Sequence, residues 1–395
     1  MAQVRKVWYA PHQKQAYGQE EIDAVRACLE DGWLAPGPRT AEFERLVAER
    51  FGKNFALFVN SGSSANMLAV ICAGITKGVE VITPACTFST TVAPLVQNGA
   101  SVKFCDVHPD RYVPSVEQVL AELTPKTKVI MVPNLLGNKI DWKLLREKLN
   151  ELGRSDVILI EDSCDTMTYT PESDISTISF YASHIITAGG TGGMVMFNDK
   201  ALLDRALRIR DWGRVGGNDE SIAERFNHGI LGDVQYDWKF LYCEFGYNFK
   251  ACEMNAAFGI AQMKKLPAFE KIRDDLLNRY IDTLKADPVS AKYYRFPDFK
   301  KGILFLALPL ACSHRMEIIT HLEKNMVQTR VTMAGNILRH PIYGEQFPEE
   351  AKRSFPVSDQ VMKEGFLIGC HHGLNEEDVD RVCSLLISFA HDHAQ

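Results

Sequence analysis

Four short segments combine residue types and positions that could bind a ligand or move a proton. The first, Ser61-Gly62-Ser63-Ser64, follows the apolar run FALFV and precedes a helical pattern. Glycine and small hydroxyl residues at a helix N-terminus present backbone N–H groups to an anion such as phosphate. A strand-to-helix turn with a serine cap explains the same residues, so this segment alone does not identify a phosphate site.

The second and third segments also follow apolar runs. Glu161-Asp162 comes directly after VILI, where a carboxylate serves either as a helix cap or as an active-site group. Phe88 ends the run VEVITPACTF. Its ring could stack on a planar ligand, although phenylalanine is more often a core residue.

The fourth segment is SFYASH, which spans Ser179 to His184 and is followed by the glycine-rich loop GGTGG at 189–193. Imidazole has an ordinary pKa of about 6.5, so it can accept or donate a proton near neutral pH. An isolated histidine is nevertheless more often structural or solvent-exposed than catalytic.

Alternating helical and strand patterns over residues 19–200 would position these segments. Helices are predicted at 20–31 and 41–51, the second capped by Thr40. Short apolar runs predict buried strands at 55–59, 79–82, 102–104, 129–132 and 157–160. Helices between such strands imply right-handed crossovers and a mainly parallel sheet, with ligands beyond the carboxyl ends of its strands.

The pattern changes after residue 200. Helices are predicted at 200–211, 251–266, 268–286, 315–325 and 376–390, an exposed loop at 218–236 and a strand at 303–309. We therefore predict an α/β protein with a large domain, residues 1–265, that includes an N-terminal arm, and a smaller C-terminal α+β domain, residues 266–395.

Composition excludes several classes of protein. The 395 residues include 44 Lys plus Arg and 50 Asp plus Glu, a net charge of −6 that argues against general nucleic-acid binding. The longest apolar run, at 303–312, contains a proline and is too short to cross a membrane. The N-terminus lacks the apolar core of a secretory signal. Ten cysteines without a C-x-C or C-x-x-C pair predict reduced, mostly buried thiols in a cytoplasmic protein, and no metal site.

Taken together and in order, these motifs resemble the DegT/DnrJ/EryC1/StrS family of sugar aminotransferases. The resemblance covers nearly the whole chain, through DGWLAPGPRTAEFE, VNSGSSAN, TPACTFSTT, IEDSCD, SFYASH, GYNFKACEMNAAFGIAQM and GLNEEDVDRV. It implies the aspartate aminotransferase-like (type I) fold and pyridoxal 5′-phosphate (PLP) or pyridoxamine 5′-phosphate (PMP) as the cofactor.

The resemblance also implies roles for individual residues. Gly62, Ser63 and Ser179 would hold the cofactor phosphate. Phe88 would stack on the pyridine ring, Asp162 would pair with its nitrogen, and Asp165 would lie beside it. Asn248 would reach the phosphate from the neighbouring subunit, which implies a homodimer with shared active sites. From their motifs, Trp33, Arg214 and Asn336 are candidates for substrate contacts.

His184 stands where aminotransferases of this family carry the lysine that binds PLP covalently. Imidazole cannot form a stable link of that kind, so the cofactor would be bound non-covalently while acid–base chemistry is kept. A branch of the family, the GDP- and CDP-sugar 3-dehydratases, has this replacement. The segments VPNLLGNKIDW and MAGNILRHPIY also resemble that branch.

Membership of this branch implies loss of the C3 hydroxyl from a nucleotide-linked 4-keto-6-deoxy sugar, with His184 as the base. Asp211-Trp212-Gly213-Arg214 is not followed by the cysteines that hold an iron–sulfur cluster in the CDP-sugar type. This favours the GDP-sugar type, which regenerates PMP from glutamate.

Three departures from the family keep other functions open. Thr191 replaces a glutamate in the glycine-rich loop, the stretch between Met167 and Ser179 is short, and Asp165 replaces Gln, Glu or His. The alternatives are a nucleotide-sugar aminotransferase and a PLP-binding pseudoenzyme.

Overall fold

The fold is that of a computed structural model, which describes residues 5–12, 15–215, 222–227, 230–299 and 303–394. A seven-stranded sheet forms its centre, with the strand order β1-β7-β6-β5-β4-β2-β3. Six strands run in one direction, and β7 is antiparallel to both of its neighbours. The strands are β1 Phe55–Val59, β2 Glu80–Pro84, β3 Ser101–Cys105, β4 Thr127–Pro133, β5 Ile158–Asp162, β6 Ile175–Ser179 and β7 Gly193–Phe197.

Helices connect the strands of this sheet and precede its first strand. They are α1 Gln19–Asp31, α2 Pro38–Phe51, α3 Gly62–Cys72, α4 Ser89–Gln97, α5 Val116–Ala121, α6 Trp142–Glu151 and α7 Lys200–Arg210. A short helix and a two-stranded hairpin follow, α8 Ile222–Asn227, β8 Ile230–Leu231 and β9 Val234–Gln235.

A second, antiparallel sheet with the order β10-β12-β11 organises the C-terminal part. Its strands are β10 Leu308–Ala311, β11 Thr329–Val331 and β12 Gly365–Ile368. The helices here are α9 Glu253–Ala286, α10 Pro288–Tyr293, α11 Arg315–Lys324, α12 Pro341–Gln346, α13 Pro348–Ala351, α14 Pro356–Glu364 and α15 Glu376–His393. The fold is the predicted α/β type, with a mainly parallel sheet and a smaller α+β part.

The predicted break between two helices at residue 267 is wrong. α9 is one helix of 34 residues that continues through Pro267. It packs on α1 and α2 and also on α10 and α15. This tertiary packing outweighs the local cost of a proline inside the helix. The predicted domain boundary at 265/266 falls inside this helix.

Several smaller predictions also need correction. Thr40 lies inside α2, where Gly37 is the N-cap and the Thr40 hydroxyl donates to Glu253 Oε2 over 2.6 Å. The strand predicted at 303–309 begins only at Leu308. The region 218–236, predicted to be a loop, contains α8 and the hairpin, although residues 216–221 and 228–229 lie outside the described residues.

An aromatic cluster fixes the segment that follows β6. Phe43 from α2 packs on Phe58 from β1 and on Phe180, with ring centroids 5.1 and 4.9 Å apart. All three rings are buried. Because Phe180 follows Ser179 directly, this cluster anchors the start of the SFYASH turn.

All ten cysteines are free, and seven are buried: Cys28, Cys72, Cys86, Cys105, Cys312, Cys370 and Cys383. Within the described part of the chain, no group of His, Cys, Asp and Glu side chains could hold a metal ion. None of the helices in the described ranges combines the length and apolar character that crossing a bilayer requires.

Candidate active site

A cavity of about 340 Å³ opens at the carboxyl ends of the parallel strands. It brings together seven of the residues that the sequence singled out. They are Gly62, Ser63, Phe88, Asp162, Asp165, Ser179 and His184. Among the described residues that line it, none is lysine or arginine.

One end of the cavity is the N-terminus of α3. Ser61 caps this helix, and its hydroxyl accepts from the Ser64 N–H over 3.1 Å. The N–H groups of Gly62 and Ser63 have no partner within the helix, because the first turn lacks acceptors. A methyl group on Gly62 would lie 2.6 Å from the Ser179 Cβ, so only glycine allows this serine to approach. The three residues together form a site suited to an anion.

Asp162, the last residue of β5, is held in place by three donors. Its Oδ2 accepts from Asn66 Nδ2 and from the Thr91 hydroxyl, each over 2.8 Å. Its Oδ1 accepts from the Cys164 N–H over 3.2 Å. Asn66 is itself fixed, because the Thr177 hydroxyl donates to its Oδ1 over 2.6 Å. A buried carboxylate with this support faces the cavity and suits a cationic ring nitrogen.

Glu161, the neighbour of Asp162 in sequence, has a structural role. Successive residues of a strand point to opposite faces, so Glu161 lies on the other side of the sheet. Its side chain is fully buried and accepts five hydrogen bonds. The donors, at 2.5 to 3.0 Å, are Asn134, Ser163, Thr168, Ser173 and Ser176. Three of these lie in the short stretch between Met167 and Ser179, which therefore supplies hydrogen-bond donors to a buried side chain.

His184 is positioned by a backbone carbonyl. Its Nδ1 donates to the Cys164 oxygen, and a carbonyl can only accept, so Nδ1 carries the proton in this contact. Nε2 then has a free lone pair in the neutral ring. Burial lowers the pKa of His184 below 6.5, against the opposing effect of the Cys164 carbonyl. The geometry produces a neutral imidazole that can accept a proton at Nε2.

Asp165 has a different environment from Asp162. Its Oδ2 accepts from the Leu136 N–H over 2.9 Å. Burial, with a smaller contribution from the Asp162 carboxylate, raises the pKa of Asp165 to about 7 in spite of this hydrogen bond. Phe88, at the N-cap of α4, lines the cavity with half of its surface exposed, which leaves a ring face for a ligand.

Thr191 ties the glycine-rich loop to the end of β1. Its hydroxyl donates to the Asn60 carbonyl over 2.7 Å, and the Gly192 N–H donates to the same oxygen over 3.1 Å. A methyl group on Gly193 would lie 2.3 Å from the Ser61 carbonyl. The loop therefore packs directly behind the anion site, and Thr191 contributes to the cavity wall.

Four predicted residues do not line the cavity of this chain. Asn248 is exposed and its backbone pairs with Asp211. The Arg214 guanidinium lies 4.3 Å from the Trp212 ring centroid, and Trp33 is exposed.

Asn336, the fourth of these residues, has a structural role here instead of the expected substrate contact. It is fully buried, its Oδ1 accepts from the Leu338 N–H, and its Nδ2 donates to Asp359 over 2.7 Å. Both ends of the amide are thus used inside the protein.

Sequence reasoning missed several residues of the site. Asn66 and Thr91 hold Asp162, and they are the last residues of the motifs VNSGSSAN and TPACTFSTT. Each lies one helical turn after a predicted site residue, Gly62 or Phe88, so the sequence contained a signal for both. Tyr9, Leu306 and Met333 come from distant parts of the chain and also line the cavity. No local pattern marks them.

The chain belongs to the DegT/DnrJ/EryC1/StrS aminotransferase family, which it matches over residues 15–387. This confirms the predicted family. The lipopolysaccharide biosynthesis protein RfbH of Salmonella typhimurium is 31% identical, and the match covers 96% of this chain and 91% of that protein. The dTDP-4-dehydro-2,6-dideoxy-D-glucose 3-dehydratase of Saccharopolyspora spinosa is also 31% identical, over 94% of this chain and 84% of that protein. GDP-perosamine synthase of Vibrio cholerae is 28% identical, over 92% and 94%.

Solved structures confirm the type of fold. The Escherichia coli GDP-4-keto-6-deoxy-D-mannose-3-dehydratase with bound hydrated PLP superposes with a TM-score of 0.84 at 25% identity, covering 97% of this chain and all of that one. A mutant GDP-4-keto-6-deoxymannose-3-dehydratase with bound GDP-perosamine gives a TM-score of 0.82 at 25% identity, covering 95% and 100%. The relatives thus include both dehydratases and an enzyme named for perosamine synthesis.

Proposed function

We propose that this chain is a 3-dehydratase of a nucleotide-linked 4-keto-6-deoxy sugar that uses non-covalently bound PLP and PMP. The single observation that carries the proposal is His184, which replaces the family's lysine and whose Nδ1 proton is held by the Cys164 carbonyl, so that Nε2 can accept a proton. The two dehydratase relatives support the same reaction class.

The residues of the cavity fit the cofactor. The N–H groups of Gly62 and Ser63, which have no partner within α3, suit a phosphate together with the Ser179 hydroxyl. The fixed carboxylate of Asp162 suits a protonated pyridine nitrogen, and the half-exposed Phe88 ring suits stacking on the pyridine. Asp165 would bind at the side of the ring.

When bound, the cofactor supplies a primary amine for a sugar ketone and a conjugated ring that accepts the electrons of a broken C–H bond. His184 moves the proton: its Nε2 accepts it, while the contact of Nδ1 with Cys164 fixes the ring. The sugar then loses its C3 hydroxyl. Glutamate would return the amino group between turnovers, because the residues directly after the DWGR motif, VGGN, include no cysteine to hold an electron-transfer cluster.

A homodimer with shared sites belongs to the proposal. The surface around Asn248 carries exposed aromatic rings, Tyr242, Phe245 and Tyr247, and Phe245 is fully exposed in the single chain. Exposed apolar groups of this kind are typical of subunit interfaces. Arg214 and Trp33 would contact the nucleotide sugar from that interface, and the complete enzyme would work in the cytoplasm.

A nucleotide-sugar aminotransferase is the second candidate, favoured by the similarity to GDP-perosamine synthase. It predicts a product in which an amino group replaces the ketone oxygen, whereas the dehydratase predicts a product that keeps the ketone and lacks the C3 oxygen. Absence of a lysine from the described cavity wall disfavours it, because covalent exchange of the cofactor needs that amine.

Mass spectrometry distinguishes the two. The protein is incubated with PLP, glutamate and a panel of GDP-, CDP-, UDP- and dTDP-linked 4-keto-6-deoxy sugars. We expect one of them to lose one oxygen atom, while glutamate is converted to 2-oxoglutarate and ammonia is released. A product with a new amino group would support the aminotransferase, and no reaction with any nucleotide would contradict both.

A further inference from the structure

The N-terminal arm delivers a tyrosine to the active-site cavity. Val7 pairs with residues before β11: its N–H donates to the Met326 carbonyl over 2.9 Å, and its own carbonyl accepts from the Gln328 N–H over 2.8 Å. Two residues later, the Tyr9 N–H donates to Gln328 Oε1 over 3.1 Å. The arm is therefore fixed at this point, and the Tyr9 ring forms part of the cavity wall with His184 and Asp165.

The phenol of Tyr9 is held in its protonated form. The Arg330 guanidinium lies 5.3 Å from its ring centroid. Burial, followed by the Asp165 carboxylate, raises the pKa of Tyr9 above its usual range, while Arg330 acts in the opposite direction. A phenol that keeps its proton near a cavity acts as a donor.

The proposed reaction needs such a donor in addition to His184. Hydroxide is a poor leaving group, so the departing C3 oxygen must gain a proton as its bond breaks. While Nε2 of His184 accepts the C–H proton, the Nδ1 proton is held by the Cys164 carbonyl, so protonation of the oxygen in the same step requires a second group. The serine and threonine hydroxyls of the wall are much weaker acids than a phenol, and Asp165, with a pKa raised to about 7, is the competing acid.

We propose that the Tyr9 hydroxyl is the catalytic proton donor to the leaving C3 oxygen, an inference that rests on the proposed dehydratase function. The C3–O bond breaks with its electron pair on oxygen, and the Tyr9 proton converts that oxygen to water. The electron pair of the C–H bond that His184 breaks passes to the sugar, where it replaces the pair that left with the C3 oxygen. The proton taken up by His184 finally returns to the phenolate, so the sugar loses one molecule of water in this step.

Tyr9→Phe tests this role, because it removes one hydroxyl and keeps the ring that packs in the wall. We expect kcat for water loss to fall by about 100-fold or more, the usual contribution of a positioned general acid. The dissociation constant of the nucleotide sugar, measured by calorimetry, should change by no more than about threefold. Tyr169→Phe is the matched control, because Tyr169 is an exposed tyrosine outside the cavity wall and its loss should leave kcat unchanged.

A substrate with fluorine in place of the C3 hydroxyl separates proton donation from a structural effect. Fluoride leaves with little need for a proton, so Tyr9→Phe and the wild type should release it at rates within about threefold. Equal loss of rate with both leaving groups would overturn the proposal, as would a change confined to KM. Wild-type-like kcat in Tyr9→Phe with loss of activity in Asp165→Asn would assign the donor to Asp165 instead. A wild type that removes no water would contradict the proposed function itself.

Discussion

Replacement of His184 by alanine tests the central feature of the site. The contacts proposed for the cofactor come from other residues, and the main-chain hydrogen bond from the His184 N–H to the Tyr181 carbonyl does not depend on the side chain. We therefore expect His184→Ala to fold and to bind the cofactor. The loss of the contact between Nδ1 and the Cys164 carbonyl should reduce the free energy of unfolding by about 1 kcal/mol.

The effect on turnover should be much larger. A positioned general base contributes about 10²- to 10⁴-fold, which corresponds to about 3 to 5 kcal/mol of activation free energy. The rate of water loss is measured by mass spectrometry, and binding of PMP by its absorbance. His340→Ala is a matched control, because His340 also contacts a backbone carbonyl, that of Ala334 at 2.8 Å, but does not line the cavity. Turnover of His184→Ala within threefold of the wild type would refute the assignment of the base.

The lowered pKa of His184 adds a pH dependence with a defined sign. Since the neutral ring is the base, the wild-type rate should fall only at pH values below 6.5, where the folded protein protonates the ring. The unfolded chain binds this proton more readily, so stability should also decrease as the pH falls below 6.5, and His184→Ala should lose that contribution. A rate that begins to decline at a pH above 7 as the solution is acidified would contradict the lowered pKa of His184.

Three further predictions concern the surrounding framework. Gly62→Ala should lower the free energy of unfolding by about 1 to 3 kcal/mol through its clash with Ser179, and adding Ser179→Gly should restore most of that loss in thermal unfolding. Glu161→Gln should lower the free energy of unfolding by about 3 kcal/mol, measured by urea titration, because the new amide N–H groups would face hydrogen-bond donors. An unchanged urea midpoint would disprove the buried network. The raised pKa of Asp165 means that the folded protein keeps a proton that the unfolded chain releases. The free energy of unfolding without cofactor should therefore fall as the pH rises from about 4 to 7. Asp165→Asn should flatten this pH dependence, and an unaltered slope would contradict the raised pKa.

The elements that carry the site were predictable because their signals are local. Five of the seven strands, β1 to β5, contain the short apolar runs that predicted them, and burial on both faces gives β2 and β4 a continuous rather than an alternating pattern. The strand β6 was missed because it reads ISTIS and forms no apolar run although it is fully buried, and β7 was not predicted either. Glycine ends α1 and α2 in the left-handed conformation that favours this residue. The passage of α9 through Pro267 was not predictable, because packing against α1, α2 and α15 outweighs the local cost of the proline.

The spacing of Ile22, Val25, Cys28 and Leu29 predicts an apolar face on α1 and illustrates another limit of periodicity. Cys28 is buried as expected, but Ile22 and Leu29 are 44% and 54% exposed in the single chain. Glu21 is buried instead, because Lys265 and Gln262 from α9 pair with its carboxylate. A charged residue thus occupies the inner face, and helical spacing alone cannot reveal its partners. The exposed apolar side chains fit the proposed dimer.

The function of His184 likewise depends on a contact that spacing could not reveal. The motif identifies the residue, but its chemistry follows from the Cys164 carbonyl, 20 residues earlier in the chain. That carbonyl is in position because the Cys164 N–H binds Asp162, which Asn66 and Thr91 hold at the end of β5. The same network therefore sets the carboxylate proposed for the cofactor nitrogen and the tautomer of the base. A change that loosens Asp162, such as Asn66→Ala, should weaken PMP binding and displace the base together, whereas His184→Ala should lower turnover and leave PMP binding unchanged.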